Sequence, residues 1–220
     1  MKRKITIAID GPSGSGKSTI SHSLAERLGY RYIDTGAMYR GVALRSKEMG
    51  ISPDDGAGME EACRSVSFSF HGRKVYMNGT DVSDAIRTPE MDMRSSTVSK
   101  MPSVRFALIA LQREMAKGGG VVMEGRDIGT VVLPDADIKI FLTADEKERA
   151  RRRYLERSGK GEDAKLDEIT LDMKRRDQND SHRELSPLVA AEDARVIDTT
   201  SLSIEKIVAI IVNEVENLVK

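Results

Sequence analysis

The sequence predicts an α/β fold in which a parallel sheet is flanked by helices and carries a small antiparallel insertion. Short apolar runs alternate along the chain with stretches whose apolar residues recur at helical spacing, which is the pattern of βα units. Strict alternation replaces this pattern once, at Val66, Phe68 and Phe70, and indicates antiparallel strands. The first apolar run also leads directly into a glycine-rich loop and a helix, as in the first turn of many parallel α/β folds.

Composition limits the classes to which the chain can belong. Its 220 residues suffice for one well-covered core, and no repeat or linker divides them. Basic and acidic residues number 35 each, so a formal charge of zero argues against a nucleic-acid partner. Cys63 is the only cysteine, which favours a reducing compartment. With no apolar run near the ~20 residues that span a membrane and no room for a signal peptide, we expect a cytoplasmic monomer without membrane contacts.

A phosphate-binding loop of the form G-x-x-x-x-G-K-[ST] follows the apolar run 5–9. It consists of Gly11, Pro12, Ser13, Gly14, Ser15, Gly16, Lys17, Ser18 and Thr19. Glycines let backbone N–H groups surround phosphate oxygens, Lys17 supplies a positive charge, and the Ser18 hydroxyl suits an Mg²⁺ ion. The next helix adds unpaired N–H groups and its positive dipole end. This pattern predicts a nucleoside-triphosphate site with Ser18 as a metal ligand.

The surroundings of the loop favour this function over a chance turn rich in glycine and serine. The run 5–9 has the composition of a buried parallel strand. Ile20, Leu24 and Leu28 mark one helical face, which ends at Gly29. A strand, a glycine-rich loop and a helix in that order indicate a fold of the P-loop NTPase type.

The remaining elements follow from periodicity and turn residues. The first half of the sequence predicts a strand at 30–33, a helix at 35–49 and a loop at 50–58. Antiparallel strands follow, with turns at His71-Gly72 and Asn78-Gly79. The stretch 84–102 is predicted to be irregular, and 104–117 to be a helix with a face of Phe106, Ile109, Ala110 and Arg113. The second half predicts strands at 121–124, 138–142 and 196–197, a helix at 166–179, and a last helix that begins at the N-cap Ser203 and carries a core stripe of Ile204, Ile207, Val208, Ile211, Val215 and Leu218.

Charged residues collect near predicted strand and helix ends. The strand at 121–124 delivers Arg126 and Asp127 to the sheet edge that holds the phosphate loop. Arg149, Arg153 and Arg157 then recur at four-residue intervals, with Arg152 beside them. Interleaved glutamates also fit a solvated helix face, but a nearby triphosphate makes a mobile arginine-rich lid at least as good an interpretation. Arg176, Asp180 and Arg183 share a later helical face, which fits either a sugar phosphate or an internal salt-bridge network.

These charges indicate a reaction with two phosphate-bearing substrates. No Asn-Lys pair is present, so the N-K-x-D segment that reads guanine is missing. The arginines exceed what one triphosphate needs. Phosphoryl transfer, catalysed by positioning and charge neutralisation, accounts for this excess.

Several separated motifs occur in one order along the chain. They are the segment 9–19, Asp-Thr-Gly-Ala-Met-Tyr-Arg at 34–40, Gly-Arg-Asp-Ile-Gly-Thr-Val-Val at 125–132, Pro134-Asp135-Ala136, Ser186-Pro187-Leu188 and Asp198-Thr199-Thr200. With these motifs the chain closely resembles the bacterial cytidylate kinases over essentially its whole length. The resemblance implies transfer of the γ-phosphoryl group of ATP to CMP or dCMP. It also implies a core at 1–60, 104–145 and 166–220, an acceptor-side insertion at about 61–103 and a lid at about 146–165.

The resemblance further implies a role for each matched residue. The acceptor's phosphate is expected to meet Thr35, Arg40, Arg126 and Arg183. Its sugar is expected to meet Arg176 and Asp180, and its base Ser96, Arg105 and Asp127. The groups expected to act in catalysis are Lys17, Arg126, Arg149, Arg152 and Arg153. Two positions depart from the family pattern: Ser18, where some relatives have glycine, and Glu124, where aspartate also occurs.

The chemistry of cytosine agrees with these roles. Cytosine presents an amino donor at N4 and acceptors at N3 and O2. A protein site that recognises cytosine therefore needs a carboxylate facing the amino group and hydroxyl or guanidinium donors facing the acceptors. Uracil reverses this pattern at two positions and leaves buried polar groups unpaired. The alternatives are a small kinase that acts on UMP, AMP or shikimate, and a non-catalytic protein that retained the loop for structure.

Overall fold

The computed structural model describes residues 3–159 and 161–219, and five of the strands in these ranges form a parallel central sheet. In chain order the strands are β1 (Thr6–Asp10), β2 (Arg31–Asp34), β3 (Phe68–His71), β4 (Lys74–Met77), β5 (Thr80–Asp81), β6 (Val121–Gly125), β7 (Ile138–Thr143) and β8 (Arg195–Asp198). The central sheet has the order β2-β6-β1-β7-β8, so β1 and the strand that ends at Gly125 are neighbours. The predicted parallel sheet is confirmed.

Helices connect the strands and cover both faces of the sheet. In chain order they are α1 (Lys17–Leu28), α2 (Thr35–Glu48), α3 (Gly56–Arg64), α4 (Pro89–Val98), α5 (Pro102–Ala116), α6 (Glu146–Gly159), α7 (Leu166–His182) and α8 (Ile204–Leu218). Local signals set several ends, since Gly29 ends α1 at φ 65° and the Ser203 hydroxyl accepts the Lys206 N–H at the start of α8. Among the described residues, no helix is long and apolar enough to span a membrane. The predicted lid includes Lys160, which lies outside the described ranges.

Alternation along β1 separates two apolar clusters. Ala8 belongs to a cluster with residues of α2, α3 and α5, whereas Ile7 and Ile9 join residues of α1 and α8. The predicted stripe of α8 is correct in its middle and wrong at its ends. Ile204 and Leu218 are 40% and 46% exposed, because they are the first and last residues of the helix, and Ile204 faces a cavity.

The predicted antiparallel insertion is confirmed as the sheet β3-β4-β5. Its second turn places Asn78 at φ 51° and Gly79 at φ 80°, the left-handed conformation that two-residue hairpin turns require. The insertion packs on α2, where a Cβ at Gly41 would lie 2.4 Å from Phe68. Glycine at this position therefore lets the insertion approach the core closely.

Two predicted irregular segments are in fact helical. The helix α3 begins at Gly56, inside the loop predicted at 50–58, and α4 lies within the stretch 84–102. The start of α4 carries clear signals, because the Thr88 hydroxyl accepts the Met91 N–H and Pro89 occupies the first turn. Its buried face is short, with Met91, Ser95 and Val98 only, so apolar periodicity misses it.

The face predicted for α5 is also wrong in part. Phe106 is 69% exposed and Ala110 is exposed, whereas Arg105, Leu108 and Gln112 are buried. The guanidinium of Arg105 forms a buried ion pair, and this contact turns the neighbouring Phe106 toward solvent. Periodicity alone does not anticipate a buried arginine.

A buried carboxylate joins the end of β1 to the segment after β6. The Asp10 side chain accepts the Ile128 N–H at 2.9 Å and the Gly129 N–H at 2.8 Å. These contacts hold the start of one turn of π-helix, Ile128–Val132. Burial outweighs both hydrogen bonds and raises the pKa of Asp10 to about 6.

This pKa predicts how stability depends on pH. Because the folded-state pKa lies above the unfolded value of 3.8, stability contributed by Asp10 is present below pH 4 and is lost as the pH rises through 6. Asp10→Asn removes this titration. Urea unfolding of both proteins should show the stability difference, wild type minus variant, falling by about 2–3 kcal/mol between pH 4 and 7. A difference that is independent of pH would contradict this prediction.

Candidate active site

The phosphate loop lies between β1 and α1, at the carboxyl edge of the central sheet. Gly11 has φ 148°, and a Cβ there would lie 2.0 Å from the Leu142 carbonyl oxygen, so the loop requires glycine at this position. Gly16, at φ 91°, is the N-cap of α1. The Lys17 Nζ donates to the Pro12 carbonyl at 2.6 Å, within the loop itself. The loop therefore has the curled backbone that surrounds phosphate oxygens.

Side chains from outside the loop hold its backbone carbonyls. Arg149 of α6 donates from Nη1 to the Ser13 carbonyl at 3.0 Å and pairs with Asp177 of α7. Thr199, after β8, donates to the Ser15 carbonyl at 2.9 Å. Arg149 thus lies against the loop, and its predicted part in catalysis stays a prediction.

A cavity of about 940 Å³ opens beside the loop. The predicted site residues that line it are Ser13, Gly14, Gly16, Lys17, Ser18, Thr19, Thr35, Arg40, Ser96, Arg105, Arg126, Asp127, Arg152, Arg153, Arg176, Asp180 and Arg183. The predicted site residues outside this lining are Gly11, Pro12, Ser15 and Arg149. Residues from distant parts of the chain therefore meet in one space beside the loop.

Carboxylates compensate the guanidinium groups of the cavity. Arg126 Nε lies 2.8 Å from Asp180 Oδ2. Arg105 pairs with Asp127, whose other oxygen lies 3.5 Å from Arg183 Nη2. Buried cations are stable only when they are paired, so these acids are as necessary as the arginines.

Two buried guanidinium nitrogens beside the cavity remain without a hydrogen bond in the part of the chain that the structure describes. They are Arg40 Nε and Arg183 Nη2. Arg40 also lies 3.3 Å from Asp34, through its Nη2 atom. Unsatisfied guanidinium nitrogens beside a cavity suit the oxygens of an anionic ligand.

The cavity wall nearest the loop contains a buried acid cluster. Glu124, at the end of β6, accepts hydrogen bonds from the Tyr32 hydroxyl and from Ser18. Burial raises the pKa of Glu124, and the charge of Asp34 adds to this effect. Burial lowers the pKa of Lys17, as does the neighbouring Arg126. A phosphate with its cation would offset both effects.

The predicted base readers form a buried group at the far side of the cavity. Arg105 and Asp127 are 2% and 5% exposed, and the Tyr39 ring centroid lies 5.8 Å from Arg105 Cζ. Ser96 of α4 lines the same space. Carboxylate, guanidinium and hydroxyl groups therefore line one part of the cavity.

Sequence reasoning missed several lining residues, and four of them carry polar side chains from different parts of the chain. Tyr32 and Asp92 line the cavity, as do Arg73 in the insertion's first turn and Arg87 before α4. Recognising Thr88 and Pro89 as a helix start would have placed Asp92 and Ser96 one turn apart on α4. For Arg73 no local signal exists, because only the packing of the insertion brings its turn to the cavity.

A nucleotide loop in the first βα turn, facing a second compartment rich in arginine, is the arrangement of a P-loop kinase. Residues 7–217 match the family model described as cytidylate kinase. The cytidylate kinase of Geobacter sulfurreducens is 52% identical over 210 residues, which cover 94% of this chain and 90% of that protein. The cytidylate kinase of Caldicellulosiruptor bescii is 53% identical, with coverage of 93% and 92%. This chain belongs to the cytidylate kinase family.

Solved structures extend the likeness in fold. The shikimate kinase of Bacteroides thetaiotaomicron superposes with a TM-score of 0.50 and 14% sequence identity, over 96% of this chain and 98% of that one. At this identity the likeness concerns the fold alone.

The position of Arg149 yields a prediction about stability. Arg149→Met leaves the partly buried Asp177 and the Ser13 carbonyl without this partner, so we expect a loss of about 2–3 kcal/mol in the free energy of unfolding. Arg151→Met is the matched control on the same helix, because Arg151 is 58% exposed and its ion pair is with Glu148, which also lies on α6. That variant should lose less than about 0.5 kcal/mol. Equal stability of both variants in urea unfolding would contradict the prediction.

Proposed function

We propose that this protein transfers the γ-phosphoryl group of ATP to CMP or dCMP and releases ADP and CDP or dCDP. Membership of the cytidylate kinase family supports the reaction. The observation that carries the assignment to residues is the buried group of Arg105, Asp127 and Arg183, which shares one cavity with Lys17 and the phosphate loop. That cavity has room and charge for two nucleotides end to end.

The reaction needs positioning more than a protein base. An ionised oxygen of the CMP phosphate is already nucleophilic, and it forms a bond to the γ-phosphorus as the bond to the β–γ bridging oxygen breaks. ADP leaves with that oxygen. We assign Lys17 to the charge that develops near the β- and γ-phosphates, and Arg40, Arg126 and Arg183 to the acceptor's phosphate.

The metal ion expected with ATP has a suitable set of ligands. The Ser18 hydroxyl and the buried carboxylates of Glu124 and Asp34 line the cavity beside Lys17. Among the described residues there is no cluster of three or more His, Cys, Asp or Glu side chains that could hold a metal. This donor set fits Mg²⁺, which is typically held by one or two protein groups together with substrate phosphates and water. When bound, the ion neutralises phosphate charge.

We assign Asp127 to the amino group of cytosine, and Ser96 with Arg105 to its acceptor edge. Uracil in the same position would face Asp127 with a carbonyl oxygen, and each mismatch of this kind costs roughly 1–3 kcal/mol. Arg176 and Asp180 remain our candidates for the sugar, and Arg152 and Arg153 for the transferred group. We further propose that the enzyme works in the cytoplasm as a monomer without nucleic-acid partners.

The assignment is tested by supplying ATP with each candidate acceptor. ADP release should be fastest with CMP and dCMP, and at least about tenfold slower with UMP, AMP or shikimate. Lys17→Met serves as the inactive control. Faster turnover with UMP or AMP would overturn the acceptor. Binding of ATP without turnover of any acceptor would favour a non-catalytic nucleotide-binding protein.

Two substitutions separate base reading from phosphate binding. Asp127→Asn keeps the shape of the side chain but presents an amide, so the preference for CMP over UMP in kcat/KM should fall by at least about tenfold. Arg126→Ala should lower kcat/KM by the same factor for every monophosphate, because each carries the same phosphate group. The ratio of kcat/KM for CMP to that for UMP should therefore stay unchanged. An unaltered CMP preference in Asp127→Asn would refute the base-reading role.

A further inference from the structure

The carboxylate of Asp92 joins the acceptor-side insertion to the lid and the core helix behind it. Asp92 lies on α4, and its Oδ2 atom is 2.5 Å from Arg153 Nη2 on α6. Its Oδ1 atom is 3.5 Å from Arg176 Nη1 on α7. One side chain of the insertion therefore contacts two arginines that we assign to the substrates.

These three residues separate two cavities. Asp92, Arg153 and Arg176 line the large cavity, and they also line a second cavity of about 340 Å³ between α4, α6 and α7. A further polar link between these regions is a solvent-exposed hydrogen bond of 3.2 Å from Lys100 to Asn179. The ion-pair cluster thus forms part of the wall between the two cavities.

The cluster is electrostatically robust. Burial raises the pKa of Asp92, but Arg176, Arg40 and Arg153 lower it by more, so the net pKa lies below the usual value. The carboxylate therefore stays ionised at neutral pH. Its side chain is 21% exposed, which leaves the ion pairs only partly screened by water.

The position of Asp92 within α4 connects it to the acceptor's base. Ser96 follows Asp92 by four residues on the same helix, and both line the large cavity. A movement of α4 that brings Ser96 to the base also moves Asp92, and with it the arginines bound to its carboxylate.

From this arrangement we propose that Asp92 is a positioning residue that couples occupancy of the acceptor's base site to the placement of Arg153 and Arg176. The inference rests on the proposed function and adds to it an energetic coupling between the acceptor site and the donor site. Asp92 touches neither nucleotide in this account, and it acts by fixing two arginines between the donor and the acceptor. Because such coupling is reciprocal, a bound ATP analogue should strengthen CMP binding through the same contact.

The test measures CMP affinity by calorimetry with and without a non-hydrolysable ATP analogue. The ratio of the two affinities in the wild type should be at least about fivefold. Asp92→Asn should reduce this ratio to near one, whereas Asp92→Glu, which keeps the charge, should retain most of it. Glu90→Gln is the matched control, because Glu90 lies on the same helix and pairs at 2.6 Å with the exposed Lys47. Its ratio should equal that of the wild type.

Arg153→Gln breaks the same contact from the lid and provides a second variant if Asp92→Asn fails to fold. It should lower the ratio as Asp92→Asn does, and the double variant should lower it no further. A wild-type ratio in either single variant, or a ratio near one in the wild type itself, would overturn the positioning role while leaving the proposed function intact. Absence of any CMP binding by the wild type would instead overturn the proposed function and this inference together.

Discussion

Compensation of buried positive charge is the constraint on which this structure depends. The cavity beside the phosphate loop contains several guanidinium groups, and such groups are unstable in a protein interior without partners. Here Asp180 pairs with Arg126, and Asp127 serves both Arg105 and Arg183. The same carboxylates also orient the arginine side chains. The ion pairs that stabilise the folded protein therefore also place the guanidinium groups where they can bind an anion.

The sheet supplies the geometry for this pairing. Because β6 lies beside β1, the segment that carries Arg126 and Asp127 emerges next to the phosphate loop. Asp10 then accepts two backbone N–H groups of the following turn and holds that segment in place. The helix α6 adds Arg149, which donates a hydrogen bond to the Ser13 carbonyl of the loop. Side-chain contacts to the backbone therefore hold the loop and the segment after β6, in addition to the ion pairs.

The relatives and the fold neighbours carry different kinds of information. A shikimate kinase shares the fold at 14% identity, so the fold by itself does not identify the acceptor. In the function that we propose, side chains that line the cavity select the acceptor. We propose that Asp127, Arg105 and Ser96 complement the edge of cytosine, and relatives about half identical to this chain are cytidylate kinases. In this proposal, specificity depends on a few polar groups on a common scaffold.

Local sequence signals were sufficient to predict the elements that a few neighbouring residues specify. The phosphate loop, the hairpin turn at Asn78-Gly79 and the N-cap Ser203 are specified by neighbouring residues, and each was predicted correctly. Long-range contacts decided other features: the burial of Arg105 exposes Phe106, the packing of the insertion brings Arg73 to the cavity, and the pairing of Asp92 with two arginines joins elements far apart in the chain. The sequence identifies the charged residues, but only the tertiary structure determines which residue pairs with each of them, because the partners lie far apart in the chain.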